Sequence, residues 1–188
     1  MTVRVAVDAL GGDHAPDEVV AGAVVAASET LAPVLFGPAG LDAHGLELVA
    51  CSETIGMGEK PAEAVRGKPD SSLVRAVGAV GAGEVDAVVS AGNTGATLAA
   101  SLLHVRRLPG VHRPGIAIVI PSRRGPTVLI DAGANADARP EHLLQFAHMG
   151  VVFAQELLDV SEPVVRLLST GSETSSSSSA KTTPMCAN

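Results

Sequence analysis

The sequence predicts an α/β fold in which helices cover both faces of a mostly parallel sheet, a three-layer α/β/α arrangement. Strand-like runs alternate with helical segments along the 188 residues, a length that suits one domain with a sizeable core. The runs are almost continuously apolar, as in strands that are buried on both sides. Polar, glycine-containing loops follow several of these strands, and ligands of such folds bind at the carboxyl ends of the strands.

The first elements are predicted from composition and spacing. Val3–Val7 is a valine-rich strand that stops at Asp8. A helix follows from about Pro16, because apolar residues recur at helical spacing from Val19 to Leu31. The further elements predicted up to residue 104 are strands at 33–36, 46–51 and 87–90 and helices ending at 80 and 104, with a loose stretch at 52–70.

The next part of the chain adds one antiparallel element. Ile116–Ile120 and Thr127–Ile130 flank the turn sequence Pro-Ser-Arg-Arg-Gly-Pro, which predicts a hairpin. A helix at Pro140–Leu158 and a last strand at Val164–Leu168 complete the predicted domain, residues 1–170.

Residues 171–188 form a serine-rich tail that is predicted to lie outside the fold. The tail contains five consecutive serines, so it has too little apolar surface to offset the entropy that is lost on ordering. We therefore expect it to be disordered and to contribute nothing to stability.

Composition argues against several classes of protein. The net charge is -7, from 13 basic and 20 acidic residues, and neither Trp nor Tyr is present, which disfavours nucleic-acid binding. Cys51 and Cys186 form no metal-binding motif, so no metal site is expected. The apolar run at Val19–Ala27 is too short to span a bilayer and the first residues lack a signal peptide's apolar segment, which predicts a soluble cytoplasmic protein.

The loop after the first strand, Asp-Ala-Leu-Gly-Gly-Asp-His-Ala-Pro, is the first candidate site. Gly11 and Gly12 permit close approach of the backbone, while Asp8, Asp13 and His14 offer hydrogen-bonding or acid–base groups. The alternative is an ordinary strand-to-helix turn with a capping aspartate.

The loop Ser-Ala-Gly-Asn-Thr-Gly-Ala (90–96) precedes a helix and predicts a site for phosphate or a similar anion. Free backbone N–H groups and the positive end of the helix dipole attract anions at such a place. Gly92 and Gly95 leave room for the anion, and Asn93 and Thr94 add side-chain donors. The alternative is a simple N-cap by Asn93 or Thr94.

A third polar loop begins where a strand ends at Asp131. Asn135, Asp137 and Arg139 follow within a few residues, more polar groups than a turn requires. Asp137 also suits a capping role, and His142 in the next helix is more often a surface or packing residue than a catalytic one.

Lys60, in Glu-Lys-Pro, is a fourth candidate, either as a mobile cation for phosphate or an acidic partner or as a solvated lysine. Three common motifs are absent: GxxxxGK[ST], GxGxxG after the first strand, and GxSxG. Their absence disfavours a nucleotide hydrolase, a dinucleotide-binding protein and a serine hydrolase. The residues by themselves indicate an α/β enzyme that handles a small anion or phosphate.

Six segments, taken together and in order, carry a resemblance to a known family. They are Val-Asp-Ala-Leu-Gly-Gly-Asp-His-Ala-Pro (7–16), Glu-Lys-Pro (59–61), Asp-Ser-Ser (70–72), Val-Ser-Ala-Gly-Asn-Thr-Gly-Ala (89–96), Asp-Ala-Gly-Ala-Asn (131–135) and Pro-Glu-His-Leu-Leu-Gln-Phe-Ala-His-Met-Gly (140–150). Over residues 3–168 the chain resembles the N-terminal half of the bacterial phosphate acyltransferases (PlsX family). The resemblance implies a fold like that of the isocitrate and isopropylmalate dehydrogenases and the phosphotransacetylases.

The resemblance also implies a reaction and its participants. Acyl-acyl-carrier-protein and inorganic phosphate would give acyl phosphate and free carrier protein, feeding phospholipid synthesis. The family is usually homodimeric and works without metal or nucleotide cofactor, while peripheral membrane association is left open. Gly92, Asn93, Thr94 and Gly95 would hold phosphate. Asn93, Asn135, His14 and Lys60 would position the reactants or stabilise charge.

Two alternatives stay open at this point. One is a phosphotransacetylase-like enzyme that acts on acyl-coenzyme A, and the other is an inactive fragment that only binds a carrier protein or a partner subunit. Members of the family are considerably longer than this chain, and they continue with a Gly-Glu-Glu-type loop where this chain enters its serine-rich tail. We therefore expect little acyltransferase activity from this chain by itself.

Overall fold

The computed structural model describes residues 1–123, 125–135, 137–168 and 185–187. The chain divides into two compact units, Met1–Arg106 and Arg107–Asn188, and each has its own four-stranded sheet. The elements of the first unit are β1 (Val3–Asp8), α1 (Asp17–Ala26), β2 (Leu31–Gly37), β3 (Glu47–Ala50), α2 (Pro61–Gly67), α3 (Ser72–Ala82), β4 (Ala87–Val89) and α4 (Thr94–His104).

The sheet of the first unit is parallel throughout, with the strand order β3-β2-β1-β4. Successive residues of β2 point to opposite faces, as the pleat requires. Leu35 is buried with Val20 of α1, whereas Val34 is buried with Ala76 of α3. Helices therefore cover both faces, and the predicted α/β class with a mostly parallel sheet is confirmed.

Two boundaries in the first unit differ from the prediction. The first helix ends at Ala26, and Leu31, which fits its apolar spacing, is instead the first residue of β2. Ser28 and Leu31 exchange backbone hydrogen bonds in the turn between them. The second difference is α2, which lies within the stretch that the sequence predicts to be loose and begins with Pro61 at its first position, where a missing N–H costs nothing.

The start of α3 is capped by a serine side chain. The side chain of Ser71 accepts a hydrogen bond from the backbone N–H of Val74, three residues on. The helix ends at Gly83, which has a φ of 73° in the left-handed region that glycine adopts without strain. These two caps set the ends of α3.

The described residues of the second unit form a hairpin, one long helix and two short strands. Its elements are β5 (Ala117–Ser122), β6 (Gly125–Ile130), α5 (Pro140–Leu158), β7 (Val165–Leu167) and β8 (Met185–Ala187), with the sheet order β5-β6-β8-β7. The predicted antiparallel pairing of β5 and β6 is confirmed, and α5 has the predicted bounds. Val128 of β6 and Ala154 of α5 are fully buried together.

The tail that the sequence predicts to be disordered lies largely outside the described residues. Residues 169–184 and 188 are not described, so for them the expectation stays a prediction. Met185–Ala187 differ from this expectation, because they form β8 and pair with β6 and β7. They are the longest apolar run of the tail. None of the described helices has both the length and the apolar character needed to cross a membrane.

Candidate anion-binding site

The carboxylate of Asp8, at the end of β1, joins three elements of the first unit. Asp8 is only 3% exposed. The hydroxyl of Ser72, the first residue of α3, donates to Asp8 Oδ1 at 2.5 Å. The hydroxyl of Ser90, directly after β4, donates to Asp8 Oδ2 at 2.7 Å. The ends of two neighbouring strands and the start of α3 thus meet at one carboxylate.

Two glycines allow the loops after β1 and β4 to pack directly on each other around this carboxylate. A Cβ on Gly11 would lie 2.9 Å from both Ser90 Oγ and the backbone N of Gly92. A Cβ on Gly92 would lie 3.0 Å from the Cα of Gly11. Contact between the two loops therefore requires glycine at positions 11 and 92, independently of any ligand.

The other polar residues of the first loop point away from this network. Asp13 and His14 are exposed, and their side chains make no hydrogen bond or ion pair with any described residue. Gly12 has a φ of 125°, and its position against Ala91 brings the loop back over the end of β4. The structure therefore leaves His14 beside the site but without a partner that would orient its ring.

Asn93 caps α4 and also holds a distant loop. Its Oδ1 accepts a hydrogen bond from the N–H of Ala96 at 3.0 Å, so the predicted N-cap is present. Its Nδ2 donates to the carbonyl oxygens of Gly56, Met57 and Glu59, each at 3.2 Å. The side-chain amide is thus engaged by protein groups at both ends, and it does not present a free donor to an anion.

The free donors at this place are backbone groups. Thr94 and Gly95 are the first two residues of α4, and within the described chain their N–H groups have no acceptor. Thr94 is exposed, so solvent and ions reach this turn. The helix dipole adds a positive potential at the same point. The start of α4 can therefore bind an anion through two N–H groups and the Thr94 hydroxyl.

Gly95 also brings a second loop to this turn. A Cβ at Gly95 would lie 2.6 Å from Cγ of Pro61, so a larger residue would collide with the start of α2. Lys60 precedes Pro61 and is therefore carried to the neighbourhood of the anion-binding turn. Its ammonium lies 3.2 Å from the carboxylate of Glu63, and both side chains are more than 70% exposed.

A salt bridge that the sequence did not indicate fixes the loop carrying Lys60. Lys68 Nζ donates to Glu59 Oε1 at 2.6 Å and to the carbonyl oxygen of Thr54 at 2.9 Å. The N–H of Gly56 donates to the same carboxylate at 2.7 Å. The hydrogen bond from Lys68 and then that from Gly56 lower the pKa of Glu59 from its ordinary value of 4.5.

In the second unit, the structure brings the two predicted residues Asp131 and Asn135 together. Asp131 Oδ2 accepts from the backbone N–H of Asn135 at 2.7 Å and from its Nδ2 at 3.1 Å. Asn135 Nδ2 also donates to the carbonyl oxygen of Pro114 at 2.8 Å, and Asp131 Oδ1 accepts from the N–H of Ile116 at 2.8 Å. These bonds close the loop on itself, and the amide protons of Asn135 are used within the protein.

His142 has a structural role at the start of α5. Its Nδ1 accepts a hydrogen bond from the backbone N–H of Arg139 at 3.1 Å. The ring is buried and meets the edge of the His112 ring at a centroid distance of 6.3 Å. The capping role suggested for Asp137 thus belongs to His142, while Asp137 is exposed.

Comparison with known proteins gives one family. The family model described as fatty acid synthesis protein matches residues 3–185. Proteins named phosphate acyltransferase are 44% identical over 183 residues in Heliobacterium modesticaldum and 47% identical over 182 residues in Thermosynechococcus vestitus. These alignments cover 91% and 90% of this chain but 55% and 53% of the relatives, so the chain spans about half the length of the curated relatives it matches.

Two solved structures show a similar fold. The EutD phosphotransacetylase from Staphylococcus aureus matches with a TM-score of 0.56 and 21% identity, over 81% of this chain and 53% of that one. A branched-chain phosphotransacylase from Enterococcus faecalis matches with a TM-score of 0.55 and 17% identity, over 86% and 54%. At this level of identity the likeness concerns the fold alone, and it agrees with the fold that the sequence predicts.

Proposed function

Because the chain belongs to the fatty acid synthesis protein family, we propose that the whole protein is a phosphate acyltransferase of phospholipid synthesis. It transfers the acyl group of an acyl-acyl-carrier-protein to inorganic phosphate and releases the free carrier protein. The observation that carries the proposal is the start of α4, where the N–H groups of Thr94 and Gly95 have no acceptor in the described structure. These groups bind the phosphate.

The reaction needs no covalent intermediate on the protein. A phosphate oxygen forms a bond to the thioester carbonyl carbon, the carbonyl oxygen becomes an oxyanion, and the carbon–sulfur bond then breaks. The sulfur leaves with the electron pair of that bond and takes up the proton released by phosphate. The protein's work is to hold phosphate against the carbonyl and to stabilise negative charge, which backbone N–H groups do well.

Cys51 is a poor candidate for a nucleophile that would change this scheme. Its side chain is buried, and burial raises the pKa of the thiol above its ordinary value of 9.0. A raised pKa keeps the sulfur protonated at neutral pH, whereas the thiolate is the reactive form. Direct attack by phosphate is therefore favoured over acylation of Cys51.

The candidate side chains divide into two groups on this proposal. Asn93 positions the phosphate turn by capping α4, and it does not touch phosphate through its engaged amide. Lys60 and His14 are exposed and serve as mobile groups that screen the charge of phosphate or of the thioester oxyanion. Asn135 belongs to the second unit, and its role in positioning the reactants or stabilising charge is proposed from the family resemblance. Asp131 accepts two hydrogen bonds from Asn135 and holds it in place.

The remaining features of the proposal come from the same resemblance. They are the acyl carrier protein as partner, a homodimeric assembly, action without a metal or nucleotide cofactor, a cytoplasmic location and peripheral contact with a membrane. Each concerns the whole protein, of whose relatives this chain matches about half.

The phosphate site is tested by two substitutions at one residue. Thr94→Pro removes one N–H donor while keeping the helix, because proline is tolerated at the first helical position and Asn93 is extended (ψ 107°), as a residue before proline prefers. Thr94→Ala removes only the hydroxyl. We expect the proline variant to weaken binding of inorganic phosphate about tenfold, measured by calorimetry, and the alanine variant to do so less. Equal affinity in the proline variant and the unchanged chain would exclude this turn.

The donor is tested by offering two thioesters. The chain, beside the full-length Heliobacterium relative as positive control, is given phosphate with either acyl-acyl-carrier-protein or acyl-coenzyme A, and acyl phosphate is trapped as the hydroxamate. Product from the carrier-protein thioester in the sample with this chain supports the proposal, and product from the relative shows that the assay works. Product from the coenzyme A thioester alone would favour the phosphotransacetylase-like alternative, and phosphate binding without turnover by the chain identifies it as the binding part of the enzyme.

A further inference from the structure

We propose that Asp8 is the positioning residue of the anion-binding turn and that it acts through Ser90. This inference rests on the proposed function, because it concerns the same phosphate site. The buried carboxylate fixes the loop between β4 and α4, residues 90–93, in the conformation that presents the N–H groups of Thr94 and Gly95. Asp8 itself lies behind the loop and does not contact the anion.

The first step concerns the charge of Asp8. Its side chain is 3% exposed, and among the described residues no Lys, Arg or His forms an ion pair with it. Its hydrogen-bond donors are the hydroxyls of Ser72 and Ser90. A buried carboxylate without a cation is costly to the fold. If the only role of this residue were to link the two serines, a neutral side chain would do so at a lower cost in folding free energy.

The second step concerns the direction of the hydrogen bonds. A carboxylate accepts and does not donate, so the hydroxyl proton of Ser90 must point to Asp8. The oxygen of Ser90 is then left to accept, and it receives the N–H of Gly92 at 3.1 Å. The chain of bonds runs from Gly92 through Ser90 to Asp8. It fixes the peptide between Ala91 and Gly92, one residue before Asn93, which caps α4.

The third step separates the two serines. The hydroxyl of Ser72 also donates to Asp8, but within the described chain its oxygen accepts no hydrogen bond. Ser72 therefore connects Asp8 to α3, and only Ser90 connects it to the anion-binding loop. Loss of either serine removes one hydrogen bond to the Asp8 carboxylate, but only the loss of Ser90 also removes the acceptor of the Gly92 N–H. The structure thus supplies a matched pair of variants.

The experiment compares the unchanged chain with Asp8→Ala, Ser90→Ala and Ser72→Ala. Two quantities are measured, the Kd for inorganic phosphate by calorimetry and the hydrogen-exchange rate of the Gly92 amide by NMR without phosphate. Alanine at position 8 removes both acceptors, whereas asparagine would accept from Ser90 and donate to the free oxygen of Ser72, and so would keep the link to the loop. Melting curves establish that each variant is folded at the temperature of the measurement.

We expect Asp8→Ala and Ser90→Ala to raise the Kd about tenfold and to speed exchange at Gly92, since the first removes the group that orients Ser90 and the second removes the acceptor of the Gly92 N–H. Ser72→Ala should lower the melting temperature while changing both quantities less than about twofold. Equal effects of the two serine variants on phosphate affinity would show a merely structural carboxylate and overturn the inference.

The test also separates this inference from the proposed function. An unchanged chain that binds no phosphate would overturn the phosphate site, and the Gly92 exchange rate would still decide the role of Asp8. Exchange at Gly92 that is the same in the unchanged chain and in Asp8→Ala would overturn the positioning role, even where phosphate binds.

Discussion

The side-chain amide of Asn93 donates to the backbone carbonyl oxygen of Glu59 at 3.2 Å, across 34 residues of sequence. The same amide nitrogen contacts the carbonyls of Gly56 and Met57, while the amide oxygen caps α4. One side chain thus sets both the start of the helix and the course of the loop that leads to Lys60. The two functions of Asn93 can be separated by substitution.

Asn93→Ser should keep the cap and release the loop, because serine is a good N-cap but its side chain is too short to reach the three carbonyls. Asn93→Ala should lose both functions, and the lost cap alone costs about 1 kcal/mol. We expect a larger fall in melting temperature for alanine than for serine. Both variants should be cleaved faster by a broad-specificity protease within residues 56–59, and resistance equal to that of the unchanged chain would contradict the clamp.

Gly11→Ala should destabilise the first unit. The new methyl group would collide with the Asp8 carboxylate and lie 2.9 Å from Ser90 Oγ, and overpacking of this kind costs about 1–3 kcal/mol. Gly22→Ala in α1 is the control, because no atom lies within 4 Å of its Cβ position and alanine favours helix by up to about 1 kcal/mol. The urea concentration at the midpoint of unfolding should therefore fall for Gly11→Ala and rise for Gly22→Ala.

The salt bridge of Glu59 and Lys68 predicts a pH dependence. Lys68 and the Gly56 N–H hold the pKa of Glu59 below its ordinary value of 4.5. A lowered pKa means that the bridge stabilises the fold at pH values above 4.5 and that this contribution disappears as the pH falls through the lowered value.

The corresponding variant is Glu59→Gln. Its melting temperature should be lower than that of the unchanged chain at pH 7, by a small amount because the pair is partly solvated. The difference should shrink below pH 4.5 and vanish once Glu59 is protonated. Glu63→Gln, in the exposed pair with Lys60, controls for the loss of one negative charge. A difference that is constant from pH 7 to the acid limit would contradict the assigned pKa direction.

Cys51 should react slowly with alkylating reagents in the native chain. It is 5% exposed and burial raises the pKa of its thiol, so both access and the thiolate fraction are reduced. In a Cys186→Ser background at pH 8, we expect alkylation at least roughly tenfold slower than for the urea-unfolded chain. Equal rates in the two states would place Cys51 at the surface.

The chain should self-associate through β5. This strand is at the edge of its sheet, and three consecutive apolar residues, Ile118, Val119 and Ile120, are 40–45% exposed. An exposed apolar edge pairs readily with another chain, and a lysine there opposes it. Val119→Lys should lower the scattering of a concentrated sample, whereas Val25→Lys on the exposed side of α1 should not. Equal scattering from the two variants would exclude β5 as the contact.

The second unit shows how far local sequence signals reach. The bounds of α5 agree with the prediction because Pro140 starts the helix and its apolar residues keep helical spacing to Leu158.

The short helix α2 of the first unit was not predicted, because glycines and prolines surround it. Its sequence does carry the signals of a helix: Pro61 at the first position, Glu63 in the first turn and Arg66 in the last turn.

The contacts of the site were less predictable than its elements. Asp8, Ser72 and Ser90 each stand in a segment that the sequence singles out, but their meeting depends on the strand order β3-β2-β1-β4, which spacing does not reveal. The partners of the Asn93 amide nitrogen are backbone carbonyls, and these carry no residue signature at all. The sequence therefore located the loops, and the pairing of groups within them required the fold.

The parallel pairing of β1 with β4 has a consequence for the synthesis of the protein on the ribosome. β1 and β2 are neighbours in the sheet and leave the exit tunnel early, whereas Ser90 is synthesised 82 residues after Asp8. Until Ser90 has been synthesised, the Asp8 carboxylate of the nascent chain cannot accept its hydrogen bond from the anion-binding loop. On the proposed function, affinity for phosphate therefore appears only once the first unit, Met1–Arg106, is complete, and phosphate then stabilises that finished unit and not the shorter nascent chain.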